Sequence, residues 1–236
     1  MVLIIGLLCG AVVAVFLVLR NTSGTPPRKP DFPIPALSAE PRAGVPFAAK
    51  PVDLNAIPAM ADKMDIPQRA LQAYAQAEVK TRATTPKCKI SWTMLAGIGR
   101  KESRHGRYGG ATVLDDGTLS KPIIGVPLDG SARVRAIQDT DKGAMDGDNT
   151  WDRAVGPMQF LPATWKKWAV RANGDGAPPD PQNMDDSALT AARYLCATGG
   201  DLSSPAGWWA AVLKYNSSVE YAQAVFDGQD AYARQP

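Results

Sequence analysis

Residues 99–106, GRKESRHG, place one carboxylate at the end of an amphipathic helix. Leu95 and Ile98 precede Glu102 by seven and four positions, so the three side chains share one helix face. The glycine at the end of the segment favours a helix stop there, and the helix dipole disfavours negative charge in the last turn. Partial burial on this apolar face and the helix dipole both favour the protonated acid, so we expect a raised pKa for Glu102.

A carboxylic acid that stays protonated near neutral pH is suited to cleaving glycosidic bonds. The alternative is that Glu102 is a solvated residue or an ion-pair partner of Arg100, Lys101 or Arg104, which lie beside it. Perturbed carboxylates are often structural, so helical periodicity alone does not decide between these interpretations. Motifs elsewhere in the chain are needed to decide the role of Glu102.

The N-terminal segment has the composition of a membrane anchor. The chain has 236 residues and a net charge of +3, which gives no indication of nucleic-acid binding. Residues 2–19 are apolar and uncharged, long enough to span a bilayer. We therefore expect a single transmembrane anchor at residues 1–20, through which the protein would bind the membrane. A cleaved, signal-like segment is the alternative.

A proline-rich region follows the anchor and separates it from the rest of the chain. Nine of the 20 prolines lie in residues 21–61, which predicts an extended linker without a further role. Residues 62–236 then form one domain of ordinary size. Its two cysteines, Cys88 and Cys196, predict one disulfide in an oxidising compartment, with two free thiols as the alternative.

The domain is expected to be mainly α-helical, because helical periodicity recurs and no strand pattern competes with it. Residues 108–151 are rich in glycine, proline and aspartate and predict a long ordered loop. Asp185 or Asp186 is the expected N-cap of the predicted helix that ends near residue 198. The predicted helices are 67–80, 90–105, one that begins at Pro162, 185–198, 204–216 and 219–226.

Three motifs in this order resemble those of lytic transglycosylases with a lysozyme-like (SLT) catalytic domain, close to the branch of membrane-bound lytic murein transglycosylase B. They are Glu102-Ser103 at a helix end, GPMQF at residues 156–160 before a helix, and KYN at residues 214–216 at another helix end. The resemblance implies a peptidoglycan substrate outside the membrane, so we expect an extracytoplasmic domain. It also implies cleavage of the bond from MurNAc to GlcNAc without water, leaving 1,6-anhydroMurNAc ends.

The resemblance also implies roles for individual residues. Glu102 would be the sole acid and base, and Ser103 would orient it or the substrate. Trp151 is the best candidate to stack on a sugar ring, because it lies in the loop near the GPMQF motif. The remaining residues expected to line the glycan cleft are Gly156, Met158, Gln159, Tyr215 and Asn216.

No cofactor is predicted, although related enzymes bind calcium near the position of Asn173, Asp175 and Asp180. Arg171 stands here where an acidic ligand would be expected, which makes calcium a weak prediction. Two other functions stay open. A hydrolytic muramidase would use Asp139, Asp141 or Asp152 as its second carboxylate, and a non-catalytic module would bind glycan without cleaving it.

Overall fold

Seven α-helices form the framework of the described part of the chain, with short 3-10 turns before or between some of them. The computed structural model describes residues 32–37, 44–46, 50–131 and 135–235. The protein is thus mainly α-helical, as expected from the sequence. The helices are α1 (Ile57–Met64), α2 (Gln68–Thr84), α3 (Trp92–Ser103), α4 (Pro162–Trp168), α5 (Met184–Gly199), α6 (Pro205–Tyr215) and α7 (Val219–Ala233).

The N-terminal ends of four helices are fixed by side-chain caps. Ser91, Ser204 and Ser218 cap α3, α6 and α7, each by accepting a hydrogen bond from a backbone N–H of the first turn. The cap of α5 is Asn183, whose Oδ1 accepts from the two following aspartates, so the expected cap at Asp185 or Asp186 was wrong. Those aspartates lie instead in the first turn, where the helix dipole favours negative charge.

The core lies between two sets of packed helices. Helix α3 packs on α7, while α5 packs on both α2 and α6. Trp208 and Trp209 of α6 are fully buried, and their rings pack on Phe226 of α7. Gly97 lets α3 and α7 approach closely, because a Cβ there would lie 2.9 Å from the carbonyl oxygen of Val225. The same contact fixes the position of the end of α3, which carries Glu102.

The region between α3 and α4 is a long loop, as predicted, with only isolated β-bridges in its described part. Aspartate side chains hold its turns by accepting backbone hydrogen bonds, among them Asp139 from Gly143 and Asp146 from Arg153. Its end is closed by the pairing of Val155 with Phe160. This pairing forms the tight turn that carries the GPMQF motif.

The predicted disulfide between Cys88 and Cys196 is present, with the two Cα atoms 5.3 Å apart. It joins the segment before α3 to the end of α5. The bond closes a loop of 108 residues, which stabilises the folded chain by about 5 kcal/mol in the chain-entropy model.

Part of the predicted linker belongs to the helical domain. Helix α1 begins at Ile57, inside the range 21–61. The Phe32 ring stacks on Tyr232 at 5.2 Å between centroids, and the Trp209 indole donates a hydrogen bond to the Gly44 carbonyl. The compact unit accordingly starts at Phe32. Proline richness alone did not show that the apolar side chains between the prolines find partners on α7.

The predicted anchor at residues 1–20 lies outside the described residues, as does the first part of the linker. Among the residues that are described, no helix is long and apolar enough to cross a membrane.

Candidate active site

Glu102 lies in the last turn of α3, and among the described residues its carboxyl has one hydrogen-bond partner. The Tyr221 hydroxyl, from α7, donates to its Oε1. Burial raises the pKa of Glu102 to about 7, although the Tyr221 hydrogen bond and the charge of Lys101 both act to lower it. The carboxyl is therefore poised to be protonated or ionised near neutral pH, which a group acting as both acid and base requires.

Two tyrosines form the surroundings of this carboxyl. Burial raises the pKa of Tyr221 and of Tyr215 well above the usual value, and the negative charge of Glu102 adds to both shifts. Both phenols stay neutral and serve as hydrogen-bond donors. Tyr215 was predicted for the site, but Tyr221 was not. The available sequence signal was Ser218, whose capping role places Tyr221 in the first turn of α7.

Ser103 was expected to orient Glu102 or the substrate, and its hydroxyl bonds to the turn of residues 156–160. Its side chain is buried, and its hydroxyl donates to the Pro157 carbonyl at 2.6 Å. The same oxygen accepts from the Gly106 backbone N–H at 2.7 Å. Ser103 thus ties the end of α3 to the turn of residues 156–160, and its effect on Glu102 is to fix that end.

The backbone around position 156 requires a glycine. Its φ is +79°, and a Cβ there would lie 1.8 Å from the Pro181 carbonyl oxygen. Its N–H donates to the Ile123 carbonyl at 2.9 Å. The missing side chain therefore lets the backbone at Gly156 lie against the segment before α5.

Met158 and Gln159 complete this turn in different ways. The Met158 side chain is fully buried in the core, so only its backbone is near the site, where its carbonyl accepts from the Tyr215 hydroxyl at 2.7 Å. Gln159 has a φ of +50° and is half-buried. Its amide nitrogen donates to the Gly156 carbonyl at 3.0 Å. Of the two predicted glycan contacts, the Gln159 side chain alone is partly open to solvent.

Asn216 and Trp151 are both at least partly open to solvent. Asn216 ends α6 and is exposed, and its Oδ1 accepts from the Ser218 backbone at 3.0 Å. Trp151 is half-buried in the loop, where its backbone pairs with Gln138. No hydrogen bond or ring contact in the described residues joins the Trp151 indole to the group around Glu102, so its role as a sugar platform stays a prediction.

His105, next to the site in sequence, is a buried structural residue. Its Nδ1 and Nε2 are each 3.1 Å from a phenol oxygen, of Tyr74 and Tyr232 respectively. Burial lowers its pKa well below the usual value, so the ring is neutral. One ring nitrogen then donates to a tyrosine and the other accepts from the second.

The segment weakly predicted for calcium already holds a cationic side chain of the protein, Arg171. The Asp175 carboxylate accepts from Nε and Nη2 of Arg171, and Nη1 of the same guanidinium binds the buried Asp186 at 2.8 Å. A positively charged group therefore already lies between these acids. Asp180 contributes its Oδ1 to the Gln182 backbone instead.

The acids considered for a second catalytic carboxylate lie together in the long loop. Ligand atoms of Asp139, Asp141 and Asp152 are within 4.8 Å of one another. Asp152 is buried, and both its oxygens accept from Thr140. In the described residues none of these acids hydrogen-bonds to Glu102 or Tyr221. No local sequence pattern distinguishes acids that hold a loop's own turns from a catalytic carboxylate.

Several solved structures are similar to this chain at low identity. SLT35, a lytic transglycosylase of Escherichia coli determined with calcium, is 15% identical over 75% of this chain and 78% of its own, with a TM-score of 0.44. SltB3 of Pseudomonas aeruginosa, in complex with NAG-NAM-pentapeptide, is 18% identical over 82% and 70%, with a TM-score of 0.43. The soluble lytic transglycosylase SltB1 of the same species is 16% identical over 72% and 80%, with a TM-score of 0.41.

No protein-family model matches the chain, and no curated protein matches it either. The functional assignment therefore depends on the geometry of the site.

Proposed function

We propose that the protein is a peptidoglycan lytic transglycosylase, of the branch that resembles membrane-bound lytic murein transglycosylase B. The observation that carries the proposal is the environment of Glu102: a carboxyl with its pKa raised to about 7, hydrogen-bonded by the neutral phenol of Tyr221. Among the described residues, the pKa of Glu102 is shifted by burial, by Tyr221 and by Lys101, and no second carboxylate contributes to the shift. A single carboxyl then has to serve both proton transfers.

Chemistry with one carboxyl proceeds in two steps. Protonated Glu102 gives its proton to the oxygen that links MurNAc to GlcNAc. The bond from C1 of MurNAc to that oxygen breaks, while the N-acetyl group of the substrate assists at C1. The resulting Glu102 carboxylate then takes the proton of the C6 hydroxyl as O6 bonds to C1. The product is a 1,6-anhydro ring, no water is consumed, and Glu102 ends in its starting state.

The site residues contribute by position. Tyr221 holds one oxygen of the Glu102 carboxyl, which leaves the other for the substrate. The Tyr215 hydroxyl and the Ser103 hydroxyl both anchor the turn of residues 156–160 beside the acid. We propose that Gln159, Asn216 and the backbone of this turn contact the glycan.

The domain is proposed to act outside the cytoplasmic membrane, held there by the anchor predicted at residues 1–20. The disulfide supports this location, because such bonds persist in oxidising compartments.

Mass spectrometry of fragments released from purified peptidoglycan tests the function. Wild-type protein should release anhydro-muropeptides, and Glu102→Gln should lower the rate by at least about a hundredfold, since a positioned acid contributes that much or more. Glu220→Gln is the matched control, because Glu220 is exposed at the start of α7. Products with reducing ends would show a hydrolase instead, and no products from wild-type protein would favour a binding module.

A further inference from the structure

A cavity that contains none of the residues around Glu102 lies between the C-terminal half of α2, the C-terminal part of α5 and the segment after α4. Its volume is about 720 Å³, within the range of small-ligand sites. We call it the α2–α5 cavity. Much of its wall is apolar, formed by the Trp168 ring, Val170, Leu189 and Ala197.

The charged groups at this cavity are all positive. Lys80, Arg171 and Arg193 line it, and no acidic residue of the described chain does. Arg171 is neutralised by its pairs with Asp175 and Asp186. Lys80 and Arg193 have no carboxylate partner among the described residues: Lys80 donates to the Ala172 carbonyl, and Arg193 lies over the Trp168 ring. The cavity thus combines an apolar wall with uncompensated positive charge.

A row of aromatic rings connects this cavity to the candidate active site. Trp168 contacts Tyr194 edge-on at 5.7 Å, and Tyr194 contacts Tyr215 at 5.8 Å between centroids. Tyr215 is one of the two tyrosines whose pKa the charge of Glu102 raises. Trp168 at the cavity is therefore two ring contacts from Tyr215, and four residues of extended peptide, which span about 13 Å, could cover that separation.

We infer that the α2–α5 cavity binds the carboxylate-bearing peptide that hangs from the glycan strand, with its small apolar side chains on the wall of Trp168 and Leu189 and its carboxylate beside Lys80 and Arg193. The identity of this occupant rests on the proposed function. A hydrated polyanion without apolar groups fits less well, because the apolar wall would desolvate it without compensation. Peptide-bearing strands would then be preferred over bare glycan.

Binding is tested on the full-length protein by isothermal titration with diacetyl-L-lysyl-D-alanyl-D-alanine. This peptide has no glycosidic bond, so its binding does not depend on cleavage. We expect its C-terminal amide to bind about fivefold more weakly, since one exposed charge pair is lost. Arg193→Gln should weaken the acid form similarly, whereas Lys63→Gln, which removes an exposed charge on α1 outside the cavity, should not.

A filling substitution gives a test that does not depend on charge. Ala197 is exposed at the cavity, so Ala197→Trp adds a ring there without entering the core and should abolish peptide binding. On peptidoglycan, Arg193→Gln should lower the ratio of kcat/KM for peptide-bearing strands to kcat/KM for peptide-free strands, through KM. Lys63→Gln should leave that ratio unchanged.

The inference is overturned if the peptide does not bind, or if it binds equally to the wild type, Arg193→Gln and Ala197→Trp. Release of anhydro products without peptide binding would refute the cavity assignment and leave the proposed function standing. If the peptide binds only when the cavity is intact but the protein releases no anhydro products, the cavity assignment stands and the proposed function is refuted.

Discussion

Replacing Glu102 by glutamine should change how the stability of the protein depends on pH. In the folded state burial raises the Glu102 pKa from 4.5 to about 7, whereas in the unfolded chain the carboxyl titrates near its ordinary value. Between these two values the unfolded chain releases the proton and the folded chain keeps it. Rising pH therefore favours unfolding across that window, and this acid destabilises the fold most above its folded pKa.

The size of the effect follows from the shift. From 4.5 to about 7, at about 1.4 kcal/mol per pKa unit, Glu102 should cost about 3 kcal/mol of stability at high pH. Glutamine has the same shape, carries no charge, and can still accept the Tyr221 hydrogen bond. Glu102→Gln should thus be more stable than the wild type by about 3 kcal/mol near pH 8 and by almost nothing near pH 4.

Urea unfolding of both proteins at several pH values measures this difference directly. Glu220→Gln is the control, because Glu220 is exposed and its pKa is lowered, so it has no such destabilisation to remove. A stability difference between wild type and Glu102→Gln that is the same at every pH would refute the reasoning. It would mean that the Glu102 carboxyl ionises as readily in the folded protein as in the unfolded chain.

Three further changes test other parts of the structure. Tyr221→Phe removes a hydrogen bond that lowers the Glu102 pKa, so the alkaline limb of kcat/KM should move to higher pH in a pH series on peptidoglycan, and an unmoved limb would contradict this contact. Gly156→Ala should destabilise the fold by more than about 2 kcal/mol in urea, because its Cβ would collide with the backbone of residue 181; a smaller loss would mean that this turn yields easily. Cys88→Ser should cost about 4–5 kcal/mol in the same assay, and wild-type stability in the mutant would refute the loop-closure argument.

The parts of the structure that were predictable from sequence are those set by local patterns. Helical periodicity located most of the helices of the described residues, and the apolar face shared by Leu95, Ile98 and Glu102 correctly predicted that burial would raise the Glu102 pKa. The two cysteines of the domain had only each other as partners, so their pairing followed from their number and the expected compartment. Each of these inferences depends only on a short segment of sequence or on the number of cysteines.

The missed features depend on residues that are distant in the sequence. Tyr221 is 119 positions from Glu102, and Pro157 is 54 positions from Ser103, so neither contact leaves a local pattern. The resemblance implied that Ser103 orients the acid or the substrate, but it did not show that the Ser103 hydroxyl bonds to the Pro157 carbonyl and the Gly106 backbone N–H. A motif identifies which residues matter and does not say what each one touches.

The environment of the acid therefore depends on how α7 packs against α3. The close contact at Gly97 brings the two helices together, and one turn further along α3 the same packing places the Tyr221 hydroxyl on Glu102. Because burial supplies the largest part of the pKa shift, the depth at which α7 covers the end of α3 sets the protonation of the carboxyl. Ser103 fixes the opposite side of that helix end through Pro157. The pKa required for the proposed chemistry is thus a property of helix packing, and residues that never touch the glycan determine it.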